Sequence, residues 1–157
     1  MVPTTPAYSP PPDEGLDIRY IDDALLVVDK PAGLLSVPGR GADKQDSLAS
    51  RVQARYPGAR VVHRLDMSTS GLLVLALDAD IQRALGRQFE LRQVDKRYVA
   101  VVAGRVADME RTIDLPLITD WPNRPRQIVD FVRGKPALTR LQVLAYAAAS
   151  DTTRVHL

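Results

Sequence analysis

The chain has 157 residues, 45% of them apolar and 25% charged, with a formal net charge of +2. That length suits one domain able to bury roughly 70% of its unfolded surface, and the lack of cysteine excludes disulfides, thiolate chemistry and sulfur-based zinc sites. Two histidines are too few for a histidine-rich metal centre, no apolar run approaches the ~20 residues of a membrane helix, and Met1–Gly15 carries no secretory-signal pattern, so a cytoplasmic, metal-free protein without a membrane span is expected.

Residues 1–16 open with MVPTTPAYSPPPDEG, whose five prolines predict an extended, flexible tail ahead of a domain over 17–157. Ile18–Ile21 and Leu25–Val28 read as two short strands around an Asp22-Asp23 turn, stopped by Pro31-Ala32-Gly33. Leu34–Val37 reads as a further short extended piece, and Pro38–Lys44 as a connector without phosphate-loop spacing. Asp46 or Ser47 can cap a helix to about Tyr56, with Leu48 and Val52 inward and Arg51 and Arg55 outward. Pro57-Gly58 ends it.

Next comes VVHRLDMSTSGLLVLAL, Val61–Leu77, on which the chain is centred. A short strand over Arg60–Val62 leads into a polar loop with His63, Arg64 and Asp66, and Leu72–Leu77 is apolar throughout, as in a strand covered on both faces. A carboxylate between two core strands is aimed by the sheet, which is what a nucleophile or base requires. Asp78 then caps a helix to about Gln93, with Ile81, Leu85 and Phe89 recurring on its inner face. Lys96–Gly104 is a β-branched strand, and Thr112–Ile118 a strand interrupted by Pro116. Pro122 and Pro125 exclude regular structure over Asp120–Arg126. Ile128–Arg133, Leu138–Tyr146 and Thr153–Leu157 are further strands. Many strands and two helices predict an α+β fold: a mixed, largely antiparallel sheet flanked by helices.

Taken alone, His63-Arg64-Leu65-Asp66 supports little. A kinase catalytic loop fails, because Leu65 separates Arg64 from Asp66 and no glycine-rich loop accompanies it. A serine hydrolase fails for want of a nucleophile elbow. The structural alternative is that Asp66 bonds loop amides and His63 packs on the sheet. Of the 21 basic residues four are Lys (Lys30, Lys44, Lys96, Lys135) and 17 are Arg. That bias is compatible with RNA contacts, and equally with genomic base composition.

The longer pattern is more specific. HRLDMSTSGLLVLAL, preceded by DKPAGLLSVPG and followed by KRYVAVVAG, resembles the RluA family of pseudouridine synthases, and DLPLITDWPNRPRQ and GKPALTRLQV extend the likeness over nearly everything from Asp17 onward. The resemblance implies a pseudouridine-synthase-like fold and isomerisation of uridine in RNA. The N-glycosidic bond breaks and ribose rejoins C5 of the rotated uracil, without metal or organic cofactor. The implied partners are 23S ribosomal RNA and/or a tRNA anticodon stem-loop, bound by a monomer. Asp66 matches the family's essential aspartate, acting as nucleophile or as a base on a sugar proton. Either role wants it ionised, shielded from water and near a cation. Tyr98 matches the tyrosine that stacks on the target uracil, its alternative being an ordinary half-buried strand aromatic. Arg64 matches the arginine that enters the RNA stack as the base leaves, a step costing a few kcal/mol. His63 is expected to support the loop, with Thr69, Ser70 and Gly71 shaping it. Arg124, Arg126 and Trp121 are candidates for the RNA cleft or an ordinary surface loop.

The family pattern also implies a GRxHQ-type segment whose arginine pairs with the aspartate, and no such segment occurs in these residues. The expectation from sequence is therefore a C-terminally incomplete synthase domain, lacking the cation for Asp66. The alternative is a truncated, catalytically inactive RNA-binding module.

Overall fold

A computed structural model of the chain describes residues 7–124 and 126–157. The first six residues of the expected tail, and Pro125, lie outside the described residues. The chain forms two units, one ending at Val94 and one spanning Asp95–Leu157.

In the first unit four strands form one antiparallel sheet: β1 (Asp17–Ile21), β2 (Leu25–Lys30), β3 (Arg60–Val61) and β4 (Gly71–Ala76), in the spatial order β1-β2-β4-β3. The β1–β2 turn is set by Asp22, whose carboxylate accepts the Ala24 and Leu25 amides at 2.8 Å each. In β2, period-two alternation sends Leu26, Val28 and Lys30 to the inner face, and all three are fully buried. Leu26 lies opposite Leu75 and Val28 opposite Leu73, so β2 and β4 share one apolar face. Leu34, Leu48 and Val52 complete that core. Each such side chain, fully buried, contributes about 1.5–3 kcal/mol.

Helix α1 (Leu48–Arg55) starts where expected. The Ser47 hydroxyl accepts the Ser50 amide at 3.2 Å, and Ser50 Oγ accepts the Ser47 amide at 2.9 Å, a capping box with serine in place of the usual Glu. Helix α2 (Ala79–Glu90) is capped by Asp78, which accepts from the Asp80 and Ile81 amides. Ile81, Leu85 and Phe89 are half-buried, so the stripe is right although no α2 residue is fully buried.

Three details differ from the sequence expectation. Leu34–Val37 is bent rather than extended, with its carbonyls serving α1: Leu35 accepts from the Leu48 amide at 2.8 Å and Ser36 from Ala49 at 3.1 Å. Leu72 is 57% exposed, so the start of β4 is not covered on both faces. Arg51 does not point outward; its side chain is only 9% exposed and pairs with Asp46. The described part of the tail, residues 7–16, forms no helix or strand, yet it is tied down: Arg51 donates to the Pro11 and Pro12 carbonyls at 2.7 and 3.3 Å.

The second unit is a four-stranded antiparallel sheet in the order β5 (Val99–Ala103), β10 (Thr152–His156), β9 (Leu138–Ala147), β6 (Glu110–Asp114), with a separate hairpin of β7 (Leu117–Thr119) and β8 (Gln127–Val129). Pro116 divides β6 from β7 as its missing N–H requires. Trp121–Asn123 is one turn of 3₁₀ helix with Pro122 in its first turn, where a missing amide costs nothing, so this stretch is more regular than Pro122 suggests. Antiparallel pairings with two helices bear out the α+β class. Among the described residues no helix is long and apolar enough to cross a membrane.

Candidate active site

Residues 62–70 connect β3 to β4 and hold His63, Arg64 and Asp66. Leu65 is the anchor. It is 8% exposed and belongs to the core cluster. The neighbours of an inward-facing residue in extended chain face outward, and Arg64 and Asp66 are both exposed. The same alternation that fixes the loop therefore presents a guanidinium and a carboxylate on either side of a buried leucine. Asp66 is exposed rather than shielded, which departs from the sequence expectation.

The loop's polar groups are held from beneath. Ser36 Oγ donates to the Leu65 carbonyl at 2.6 Å and accepts the Leu65 amide at 3.1 Å, satisfying both backbone groups of a buried residue with one hydroxyl. The Asp66 carbonyl accepts from the Thr69 amide at 3.0 Å, closing a turn over 66–69. The Met67 carbonyl accepts from the Gly33 amide at 2.8 Å. Gly33 and Gly71 adopt φ of +86° and +126°, a region favouring glycine, and both stand at the end of the β2–β4 pair where Lys30 lies opposite Gly71.

His63 packs between β4 and α2. Its Nε2 accepts the Val74 amide at 3.1 Å, and its ring stacks on Phe89 with centroids 4.5 Å apart and planes 19° from parallel. A proton at Nε2 would forfeit the Val74 bond, so its geometry favours support over proton transfer.

Sequence reading missed Lys30. Fully buried at the end of β2, it donates to the carbonyls of Leu34 (2.7 Å), Pro31 (2.9 Å) and Met67 (3.2 Å). Three acceptors match the three protons of an ammonium. Burial lowers its pKa, and attraction to the Asp66 carboxylate acts in the opposite sense. Lys30 is thus a cation attracted to Asp66 whose three donors are already spent on carbonyls, and it is not the paired arginine that the family pattern implies. The signal was in the sequence: Lys30 falls in register with Leu26 and Val28 on the inward face, and an inward lysine must find acceptors.

The structure places the remaining candidates in the second unit. Tyr98 precedes β5, is 39% exposed, and exchanges backbone hydrogen bonds with Leu157 at 2.9 Å each. Trp121 is 66% exposed, with the Arg124 guanidinium 4.5 Å above its ring. Arg126 donates its amide to Asn123 and accepts from Asp120, closing the β7–β8 loop and leaving its side chain exposed. An exposed aromatic beside exposed arginines is a surface on which a nucleobase can stack and phosphates can bind.

The chain is similar to known proteins over most of its length. The family model described as RNA pseudouridylate synthase matches residues 24–157. The dual-specificity RNA pseudouridine synthase RluA of Escherichia coli K12 is 52% identical over 150 residues, covering 96% of this chain and 68% of that relative. Its counterpart in Vibrio parahaemolyticus is 53% identical over 147 residues, covering 94% of the chain and 59% of the relative. Among solved structures, human RNA pseudouridylate synthase domain containing 1 superposes with a TM-score of 0.72 at 31% identity, over 94% of this chain and 60% of that one.

Proposed function

This chain belongs to the RNA pseudouridylate synthase family, and from that premise we propose that it isomerises uridine to pseudouridine in RNA, with Asp66 as the reacting carboxylate. The observation that carries the reading is the loop itself. Asp66 stands beside a buried anchor, on a turn stapled by Ser36, Gly33 and Lys30, with a buried ammonium attracting its charge. A carboxylate fixed in this way suits either nucleophilic attack or removal of a sugar proton. The chemistry then breaks the bond from ribose C1′ to N1 and makes one to C5, while the C5 proton leaves to solvent and N1 takes up a proton.

The other residues take roles around that step. Arg64, exposed immediately before Leu65, fills the space vacated by the extruded base, where a planar cation can stack. Tyr98 stacks on the target uracil, and Arg124 and Arg126, with Trp121, contact the RNA flanking it. Residues 17–157 form the N-terminal and central part of the catalytic domain. The substrate is 23S ribosomal RNA and/or a tRNA anticodon stem-loop, a choice supported by the family-like stretches DLPLITDWPNRPRQ and GKPALTRLQV and consistent with the words "dual-specificity" in the names of the bacterial relatives. The enzyme works as a cytoplasmic monomer.

Carbodiimide labelling and primer extension on transcripts of both RNAs test this. A new stop at one uridine in either transcript is expected. Retention of RNA without any stop would replace the reading by that of an RNA-binding module without catalysis.

A further inference from the structure

We propose that residues 8–12 are a brace for the loop that carries Asp66, with Tyr8 as its positioning residue; the catalytic part of this inference rests on the function proposed above. Tyr8 lies in a segment with no regular structure, yet its hydroxyl joins two distant parts of the first unit. It accepts the Leu35 amide at 3.0 Å and donates to the Asp46 carbonyl at 3.0 Å.

Leu35 is the centre of the shelf under the loop. On one side of it the Leu34 carbonyl receives Lys30, and on the other Ser36 Oγ holds both backbone groups of Leu65. The Leu35 and Ser36 carbonyls receive the first two amides of α1. The shelf thus meets the loop above, α1 beside it and the tail at the Leu35 amide. Because Leu35 is bonded in sequence to both residues that grip the loop, displacing its amide displaces them.

A second anchor sets the reach of the first. Arg51 forms a two-pronged pair with Asp46 (2.8 and 2.7 Å) and spends its remaining donors on the Pro11 and Pro12 carbonyls. Pro10, Pro11 and Pro12 restrict the backbone between the anchors to extended conformations, so Tyr8 is delivered at a fixed distance from Arg51. Between the tail and β2 lies an open groove of about 840 Å³ lined by Pro11, Pro12, Leu16, Lys30, Leu34 and Arg51. The tail is therefore held at a few polar points over an open space, and removing one point acts locally.

Tyr8→Phe, which keeps the ring and deletes only the hydroxyl, isolates the brace in the full chain. Amide exchange by NMR should quicken at Leu35 and Leu65 by roughly 3- to 10-fold, the worth of one hydrogen bond, with the Val28 and Leu75 amides of the sheet unchanged. RNA affinity should stay within about twofold while the single-turnover rate falls by roughly the same 3- to 10-fold. Unchanged exchange at Leu65 would overturn the brace, and so would equal quickening at all four amides, the mark of a merely stabilising contact. Local quickening at Leu65 with an unchanged rate would overturn the positioning role. If wild type turns over no uridine, the function proposed above fails, and the exchange comparison alone decides the brace.

Discussion

Lys30→Met removes a charge while keeping an unbranched side chain of similar length, and its consequence can be worked from the contacts. Three carbonyls lose the ammonium, though that of Met67 keeps the Gly33 amide. That of Leu34 is fully buried in its bond to Nζ, and those of Pro31 and Met67 are partly buried. A buried acceptor left unpartnered costs about 1–3 kcal/mol, and the partly buried pair costs less because water reaches them. Relief of the ammonium's desolvation returns some of this, so the net loss should be about 2–4 kcal/mol. For a chain of this length that lowers the melting temperature by roughly 5–15 °C, at roughly 2–4 °C per kcal/mol. The Met67 carbonyl is adjacent to Asp66, so a variant that still folds should also lose most uridine turnover. Thermal melting by circular dichroism gives the first readout and a single-turnover assay the second. Melting within a degree of wild type, with turnover intact, would refute the reasoning about Lys30.

Further predictions follow from the loop and its surroundings. Arg64→Ala should weaken RNA binding or base extrusion, and wild-type affinity should fall as salt rises, as phosphate contacts require; a filter-binding salt series on both proteins checks this. His63→Ala strips Val74 of its acceptor and Phe89 of its stacking partner, a loss of about 1–3 kcal/mol that denaturant titration would register. The Asp46 carboxyl is held below its ordinary value of 3.8, chiefly by the hydrogen bonds from Arg51, which also lies 3.9 Å from Asp13. Because the folded value is depressed, its contribution is complete above pH 3.8 and is lost as pH falls through the lowered value. Acidification should therefore release the Tyr8 ring signals of an NMR spectrum from their folded positions before the sheet signals move, and Asp46→Asn should abolish that early step.

Local chemistry made much of this fold legible. The Asx turn at Asp22, the caps at Ser47 and Asp78, and the proline division between β6 and β7 are each written within a few residues, though Asp46 is as good a cap as Ser47 until the structure separates them. What was not legible involves partners far apart in the chain. Leu34–Val37 looks extended until its carbonyls are seen to serve α1, and Arg51 looks solvent-facing until Asp46 and the Pro11 and Pro12 carbonyls claim it. The order β1-β2-β4-β3 has no local signature either. At the site, the place of His63, Arg64 and Asp66 on the β3–β4 loop is legible, whereas the exposure of Asp66 is not, because it depends on Leu65 taking the buried position. Lys30 was overlooked because it was weighed as one charge among 21 basic residues rather than as a buried position on β2.

The central claim is that Asp66 on this loop drives the isomerisation of uridine. Forming the bond to C5 expels the hydrogen there, so RNA carrying [5-³H]uridine releases tritium to water only when the reaction proceeds. Wild type should release tritium in proportion to the pseudouridine formed, and Asp66→Ala should bind the same RNA and release none. Release by Asp66→Ala at the wild-type rate, or RNA binding by wild type with no release at all, would contradict the account.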